Sequence, residues 1–481
     1  MRSRFLVAFP AAASLLTLAG CPNREVSRVD PAQDLVEVKE LPVNLNRKVD
    51  LLFVIDNSGS MEKNQANLKR NFDDFINVLR NIPDGNGGVS LPDVHIGVVT
   101  SDAGCGSNNG DDGLLQTKDF SAGGAGVTCA ALQGNQFISD VAGVGGAREV
   151  NYSGELADAF TCIASTGING CGFEQHLESM KRAITKAKTG AANNGFLRED
   201  AYLAVVILAD EDDCSAASAD LFDSSANPYG TRDSFRCFEY GVTCDQEARP
   251  SGQTTGPEPA ETLTGCTPNP DAELIRPIDT FINFLRDDVK DNPRDVIVAT
   301  IQGNPDSVTI GRQGADENNP GWFKLNYSCS VPDGGETYTA APGIRLDAFR
   351  RAFVDRNYST TICDGDLSDG LVGIATLIGG VIGNPCIQGV LADKDCNADG
   401  LQAECAVSYA ADDGQGTPQT MPQCDATASN KPCWGLEADT DCANPAAGDL
   451  AIKLEWPGTP PADTIVSVQC ATVDPENPSC E

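Results

Sequence analysis

Four apolar runs constrain this chain more than any other feature: VDLLFVID (49–56), VHIGVVTS (94–101), AYLAVVILADEDD (201–213) and DVIVATIQG (295–303). None alternates with polar residues as a half-exposed strand would, so each suits a strand covered on both faces. Between them, apolar residues recur at helical spacing. Leu68, Phe72, Phe75, Ile76, Leu79 and Ile82 form one stripe, Phe173, Leu177, Met180 and Ile184 a second, and Leu274, Ile275, Ile278, Phe281, Ile282 and Leu285 a third. Further helices are expected near 154–164, 345–355 and 367–383, with short strands in QFISDVAG and near 358–363. Buried strands alternating with amphipathic helices predict an α/β fold, a doubly wound and mostly parallel sheet over residues 48–383.

Three long segments rich in Gly, Asn and Asp interrupt that pattern, at about 103–136, 214–270 and 304–344. Each follows the carboxyl end of an expected strand, so all three should emerge on one rim, where open parallel sheets bind ligands. Seven cysteines lie in them, which predicts a disulfide-stapled cap. From 384 to 481 apolar runs are few and cysteines frequent, with strand-like pieces LAIKLEW and TIVSVQC; this predicts a small β or irregular region.

The N-terminus reads as an export signal. Arg2 and Arg4 precede an apolar stretch from Phe5 to Ala19, too short and wrongly flanked to remain a membrane span. Leu18-Ala19-Gly20-Cys21 resembles the bacterial lipoprotein box, which implies a signal peptide at 1–20, lipidation of Cys21, and a protein held to the bacterial outer membrane or cell surface. Residues 21–47 then serve as a tether. The chain has 19 cysteines, and removing Cys21 leaves an even number. With no C-x-x-C and only His95 and His176, disulfides in an oxidising compartment explain them better than zinc. Charge excludes further classes. With 34 Lys and Arg against 69 Asp and Glu, a formal charge of −35, the surface repels nucleic acid and anionic lipid.

Asp56-x-Ser58-x-Ser60 stands where the first strand gives way to a helix. Two readings are open: the hydroxyls cap the helix, or they join a carboxylate as hard oxygen ligands for a divalent ion. Asp210, at the end of VVILADEDD with Glu211, Asp212 and Asp213 beyond it, supplies a second carboxylate at another strand end.

Together these residues resemble the metal-ion-dependent adhesion site of the von Willebrand factor type A domain, over roughly residues 48–383. The resemblance implies that Ser58 and Ser60 bind a divalent cation directly, Mg²⁺ preferred and Ca²⁺ or Mn²⁺ accepted. Asp56 and Asp210 would act mostly through water, and a carboxylate of a protein or other ligand would complete the shell. The family also supplies a threonine from the loop before its third helix. Here the expected slot holds Gly170 to Gly172; Thr166 and Glu174 are the substitute candidates, with Cys162 and Cys171 bridged to shape the loop.

Asp395-x-Asn397-x-Asp399-Gly400 matches the start of a calcium loop, but Glu404 stands two positions short of the usual bidentate carboxylate. Catalysis has little support, since the chain shows no nucleophile elbow, phosphate loop or histidine pair. The expected function is therefore non-enzymatic: metal-dependent recognition in adhesion or assembly at the cell envelope. The alternatives are an envelope component braced by its ion, and a metal-dependent hydrolase.

Overall fold

The computed structural model describes residues 35–473, apart from 43–45, 83–88, 107–108, 135, 144–146, 225–233, 247–260, 291, 315–320, 384, 388, 394–400, 412–415, 426, 439–441, 443–447 and 459–463. Cys21, the signal segment 1–20, tether residues 21–34 and the calcium-loop candidates Asp395, Asn397 and Asp399 lie outside the described residues.

The largest sheet has seven strands: β1 (Lys48–Ile55), β2 (Asp93–Thr100), β3 (Ile138–Ala142), β4 (Arg148–Val150), β5 (Tyr202–Leu208), β6 (Val296–Gln302) and β7 (Asn357–Thr361). Their order is β7-β6-β5-β1-β2-β3-β4. Pairing is parallel from β7 to β2 and antiparallel at β3 and β4. The unbroken apolar runs are explained by cover on both faces. Leu51, Phe53 and Ile55 pack with helices α1 (Glu62–Arg70), α2 (Phe72–Arg80), α3 (Leu156–Ile163) and α8 (Ser368–Val381). Leu52 and Val54, pointing the other way, pack with α4 (His176–Lys188), α6 (Asp279–Asn283) and α7 (Ile344–Arg351). Phe53 is met edge-on by Phe72, Phe75 and Phe160, with ring centroids 5.0–6.0 Å away. Such edge contacts add to plain burial.

The expectation that the chain is a doubly wound α/β protein is corrected. The described residues form seven separate sheets, 23 strands stand against eight α-helices, and helix makes up only 24% of the described residues, among which β structure predominates. The physical reason lies in what apolar periodicity cannot register. Short hairpins such as Cys329–Asp333 with Glu336–Ala340 have little buried face of their own, so they carry no strong periodic signal. The third expected helix is α-helical only over Asp279–Asn283, followed by a wider turn at Phe284–Val289.

The tether is also corrected in part. Leu35–Pro42 is a strand that pairs antiparallel with Ile465–Val473, which in turn pairs with Cys405–Ala410. Its Leu41 joins Val407, Val466 and Val468 in a small core of its own.

Eight disulfides are described: 105–171, 129–162, 214–237, 244–266, 329–363, 386–442, 405–470 and 424–433. The first five each hold at least one cysteine of the three long segments. The expected Cys162–Cys171 bridge is not formed; each cysteine pairs instead with the segment that follows β2.

Candidate functional site

Register brings the strand ends together. Ile55 pairs with Leu208 across β1 and β5, and the Asp56 N–H donates to the Leu208 carbonyl at 2.9 Å. Asp56 and Asp210 therefore leave neighbouring strands side by side. Asp56 is fully buried, Asp210 and Ser58 are buried, and Ser60 is exposed, so the group opens to solvent at Ser60.

The capping reading of the serines is settled by their bonds. Helix α1 begins after Met61 with no side-chain cap. The Ser58 N–H donates to Asp56 Oδ1 at 2.8 Å, and the Ser58 and Ser60 hydroxyl oxygens lie 3.1 Å apart. The two hydroxyls bond to each other and not to the helix amides.

The loop after α3 closes the other side. Gln65 Nε2 donates to both the Asp56 and Gly167 carbonyls, at 2.9 Å each, and the Gly170 N–H donates to the Asn57 carbonyl at 2.9 Å. Thr166 is thereby held inward: it is buried, and its hydroxyl has no hydrogen-bond partner. Asp210 Oδ1 is likewise buried without a hydrogen-bond partner, and Asp56 Oδ2 faces the His176 ring at 3.5 Å. An unsatisfied buried oxygen costs about 1–3 kcal/mol, and Thr166 Oγ1 and Asp210 Oδ1 are two such atoms.

Carboxyl groups crowd the same place. Burial, then the charges of Glu211 and Asp56, raise Glu174 well above the ordinary range. Burial, Asp56 and Glu211 do the same to Asp210, partly offset by the Ser60 hydroxyl. Glu211 is pushed up to about 7 by burial and by Asp56. The one cationic group among them is His176. Burial opposes its charge, but Asp56 outweighs that and raises its pKa; His176 Nε2 lies 3.5 Å from Asp56 Oδ2.

The remaining acids of the 210–213 run serve the fold. The Asp212 carboxylate accepts the Arg345 and Leu346 N–H groups at the start of α7. Asp213 pairs with the buried Arg345 guanidinium at 3.0 Å. Neither points to an ion.

Asp56, Ser58, Ser60 and Asp210 are thus neighbours, Thr166 and Glu174 stand on the adjoining loop, and the chemistry present is hard oxygen with excess negative charge. Among the described residues no three His, Cys, Asp or Glu side chains form a metal-ligand group by themselves. A cation here would need the serine and threonine hydroxyls, which suits a hard ion and not zinc. The orphaned oxygens and raised carboxyl groups fit such an ion. The place of Gln65 and His176 at this site was not legible in the sequence; the signal for His176 was a polar residue beside the apolar stripe Leu177–Met180.

No family model and no curated protein matches the chain. Among solved structures it is similar to the pilus adhesin SpaC of Lactobacillus rhamnosus GG, at 10% identity and a TM-score of 0.29, over 90% of this chain and 43% of that one. It is similar to the adhesive tip pilin GBS104 of Group B Streptococcus agalactiae, at 9% identity and a TM-score of 0.30, over 92% of this chain and 83% of that one. It is also similar to proximal thread matrix protein 1 of the mussel byssus, at 7% identity and a TM-score of 0.27, over 72% of this chain and 48% of that one. The chain spans less than half the length of the first and last of these. Likeness at this level carries no argument about activity. The resemblance to the von Willebrand factor type A family is corrected: no family model matches the chain, and no metal-ligand group of acids, cysteines or histidines is present among the described residues.

Proposed function

We propose that the rim formed by Asp56, Ser58, Ser60, Thr166 and Asp210 binds one divalent cation, Mg²⁺ before Ca²⁺ or Mn²⁺, and that the ion captures a carboxylate of a protein or other acidic ligand. The observation that carries this reading is the pair of buried oxygens without hydrogen-bond partners, Thr166 Oγ1 and Asp210 Oδ1, beside Asp56 and other carboxyl groups, of which Glu174 and Asp210 are held above their ordinary pKa. A cation would answer both costs at once, by supplying a partner and by cancelling like charge. Neutral hydroxyl ligands leave positive charge on the ion, so an outside carboxylate remains attracted to it. Glu174, fully enclosed, would contribute field rather than direct contact. The role is binding, in adhesion or assembly outside the cell, with the chain held to the envelope by lipid on Cys21.

Isothermal titration with Mg²⁺, Ca²⁺ and Mn²⁺ tests this directly. Saturable 1:1 binding that Asp56→Ala and Ser58→Ala abolish would support it; no heat above the dilution blank would end it. The depth of Asp56, which has no exposed surface, favours a second reading in which the ion only braces the fold. The two separate on whether chelator abolishes capture of carboxylate-bearing ligands or merely lowers the melting temperature.

A further inference from the structure

Beside the rim lies a cleft of about 220 Å³ that the cation reading leaves unused. Its walls come from two of the long segments: Phe235 on helix α5 (Phe235–Gly241), and Trp322, Phe323, Lys324 and Tyr327 on and just after the strand Trp322–Leu325. Glu211 forms part of the lining at the end nearest Asp210.

The aromatic rings in this region already hold cations. The Arg312 guanidinium lies 4.6 Å from the centroid of Phe323, and the Lys324 ammonium 4.9 Å from that of Tyr327. Phe235 stacks against Phe323 at 5.9 Å and stiffens the wall. Trp322 and Tyr327 are 42% and 54% exposed, high for rings of their size. Glu211 lines the same cleft as these rings. A carboxyl group sharing a cleft with electron-rich ring faces selects positive charge, and indole is the strongest of such faces. The whole chain, at −35, steers basic partners inward.

We propose that this cleft binds a lysine or arginine side chain presented by a protein partner, with the cationic head at Glu211 and its stem against Trp322. Lys324 is the resident cation that such a guest displaces from Tyr327. The inference does not rest on the divalent ion, because neither the rings nor Glu211 need one to attract a cationic head.

The test uses capped Gly-Arg-Gly, with capped Gly-norleucine-Gly and Gly-Glu-Gly as controls, titrated into the full chain in chelator and read by tryptophan fluorescence and by calorimetry. Arginine-specific binding is expected, weakened about tenfold by Trp322→Ala and by Glu211→Gln, and strengthened several-fold by Lys324→Met. Lys324→Met carries the discrimination, since removing a competing cation helps only a cationic guest. Equal binding of the norleucine peptide, preference for the glutamate peptide, indifference to Trp322→Ala, or no binding at all would each overturn the proposal. Loss of arginine binding in chelator alone would overturn its independence from the ion, whereas a failed Mg²⁺ titration leaves it standing.

Discussion

Asp56 and Gly167 are joined through a single side-chain nitrogen: Gln65 Nε2 donates to both carbonyl oxygens, at 2.9 Å each. Gln65 sits on α1, immediately after the two serines, so one amide sets the distance between the strand end and the loop that carries Thr166. Groups that orient ligands without touching the ion typically govern affinity by 10–100-fold. Gln65→Leu should therefore weaken Mg²⁺ binding by about tenfold or more while keeping every proposed ligand. Two buried carbonyls lose their donor, and stability should fall by about 1–3 kcal/mol. Calorimetry and denaturant melts on the same preparation check both; unchanged affinity would show that the loop is held by other means.

The carboxyl groups around the rim make stability depend on pH in a stated direction. Glu211 is raised in the folded chain from the ordinary 4.5 to about 7. A raised acid contributes stability that is fully present below about 4.5 and is lost as pH rises through 7. Without divalent ion, the melting temperature should fall between pH 5 and pH 8. Asp50 and Asp212, each raised to about 6 mainly by burial, act in the same sense. His95, lowered to about 4 chiefly by burial, acts in the opposite sense: its stability is fully present above 6.5 and is lost as pH falls toward 4, so it opposes the slope only below pH 6.5. Glu211→Gln should remove the part of the slope near pH 7. Saturating Mg²⁺ should flatten the slope as well, and at a hundredfold excess over Kd it adds about 2.7 kcal/mol. A melting temperature that rises from pH 5 to pH 8 in chelator would contradict this account.

What the sequence made legible follows from burial. β1, β2, β5 and β6 are covered on both faces, so their apolar runs are unbroken and the polar residues that end them stand out. That is why Asp56 and Asp210 are legible as strand-end residues, whereas their grouping with Ser58 and Ser60 in one site came only from the family resemblance. Thr166 was harder, because its position depends on Gln65 and on the Gly170–Asn57 contact, neither of which leaves a periodic trace. The strand Leu35–Pro42 was read as tether because its partner, Ile465–Val473, lies at the far end of the chain; pairing over such a separation has no local signature. The same holds for disulfides, where Cys171 chose Cys105 over the nearer Cys162. The share of β structure was underestimated for a related reason: small hairpins fixed by cysteines need little apolar area and so announce themselves weakly.

The Cys105–Cys171 bridge ties the segment after β2 to the loop holding Thr166 and Glu174, across 66 residues of sequence. Closing a loop of that length stabilises by about 4 kcal/mol when the unfolded chain is the main party affected. The double change Cys105→Ala and Cys171→Ala should cost stability of that order and also weaken Mg²⁺ binding, because Thr166 loses one of its supports. Cys424→Ala with Cys433→Ala is the control. That bridge spans 9 residues within the C-terminal region and should leave Mg²⁺ affinity unchanged. Equal effects of the two pairs on affinity would refute a local role for the first.

Arg345 and Asp213 form a fully enclosed ion pair at 3.0 Å. The guanidinium also donates to the carbonyls of Asp213 at 3.0 Å and Arg276 at 2.8 Å, so it binds the start of α7 to the segment that follows β5. Asp213 in turn accepts the Leu177 N–H at 2.9 Å and the Ser215 hydroxyl at 2.7 Å, which connects the pair to α4. Removing one partner of such a pair leaves an uncompensated buried charge and costs about 3–5 kcal/mol. Arg345→Met should do so, lowering the denaturation midpoint with little change in slope. The double variant Arg345→Met with Asp213→Asn should recover part of the loss, since the stranded carboxylate is gone while an amide oxygen can still accept from Leu177. If the double variant is no more stable than Arg345→Met alone, the cost lies in the lost carbonyl contacts of the guanidinium and not in the charge.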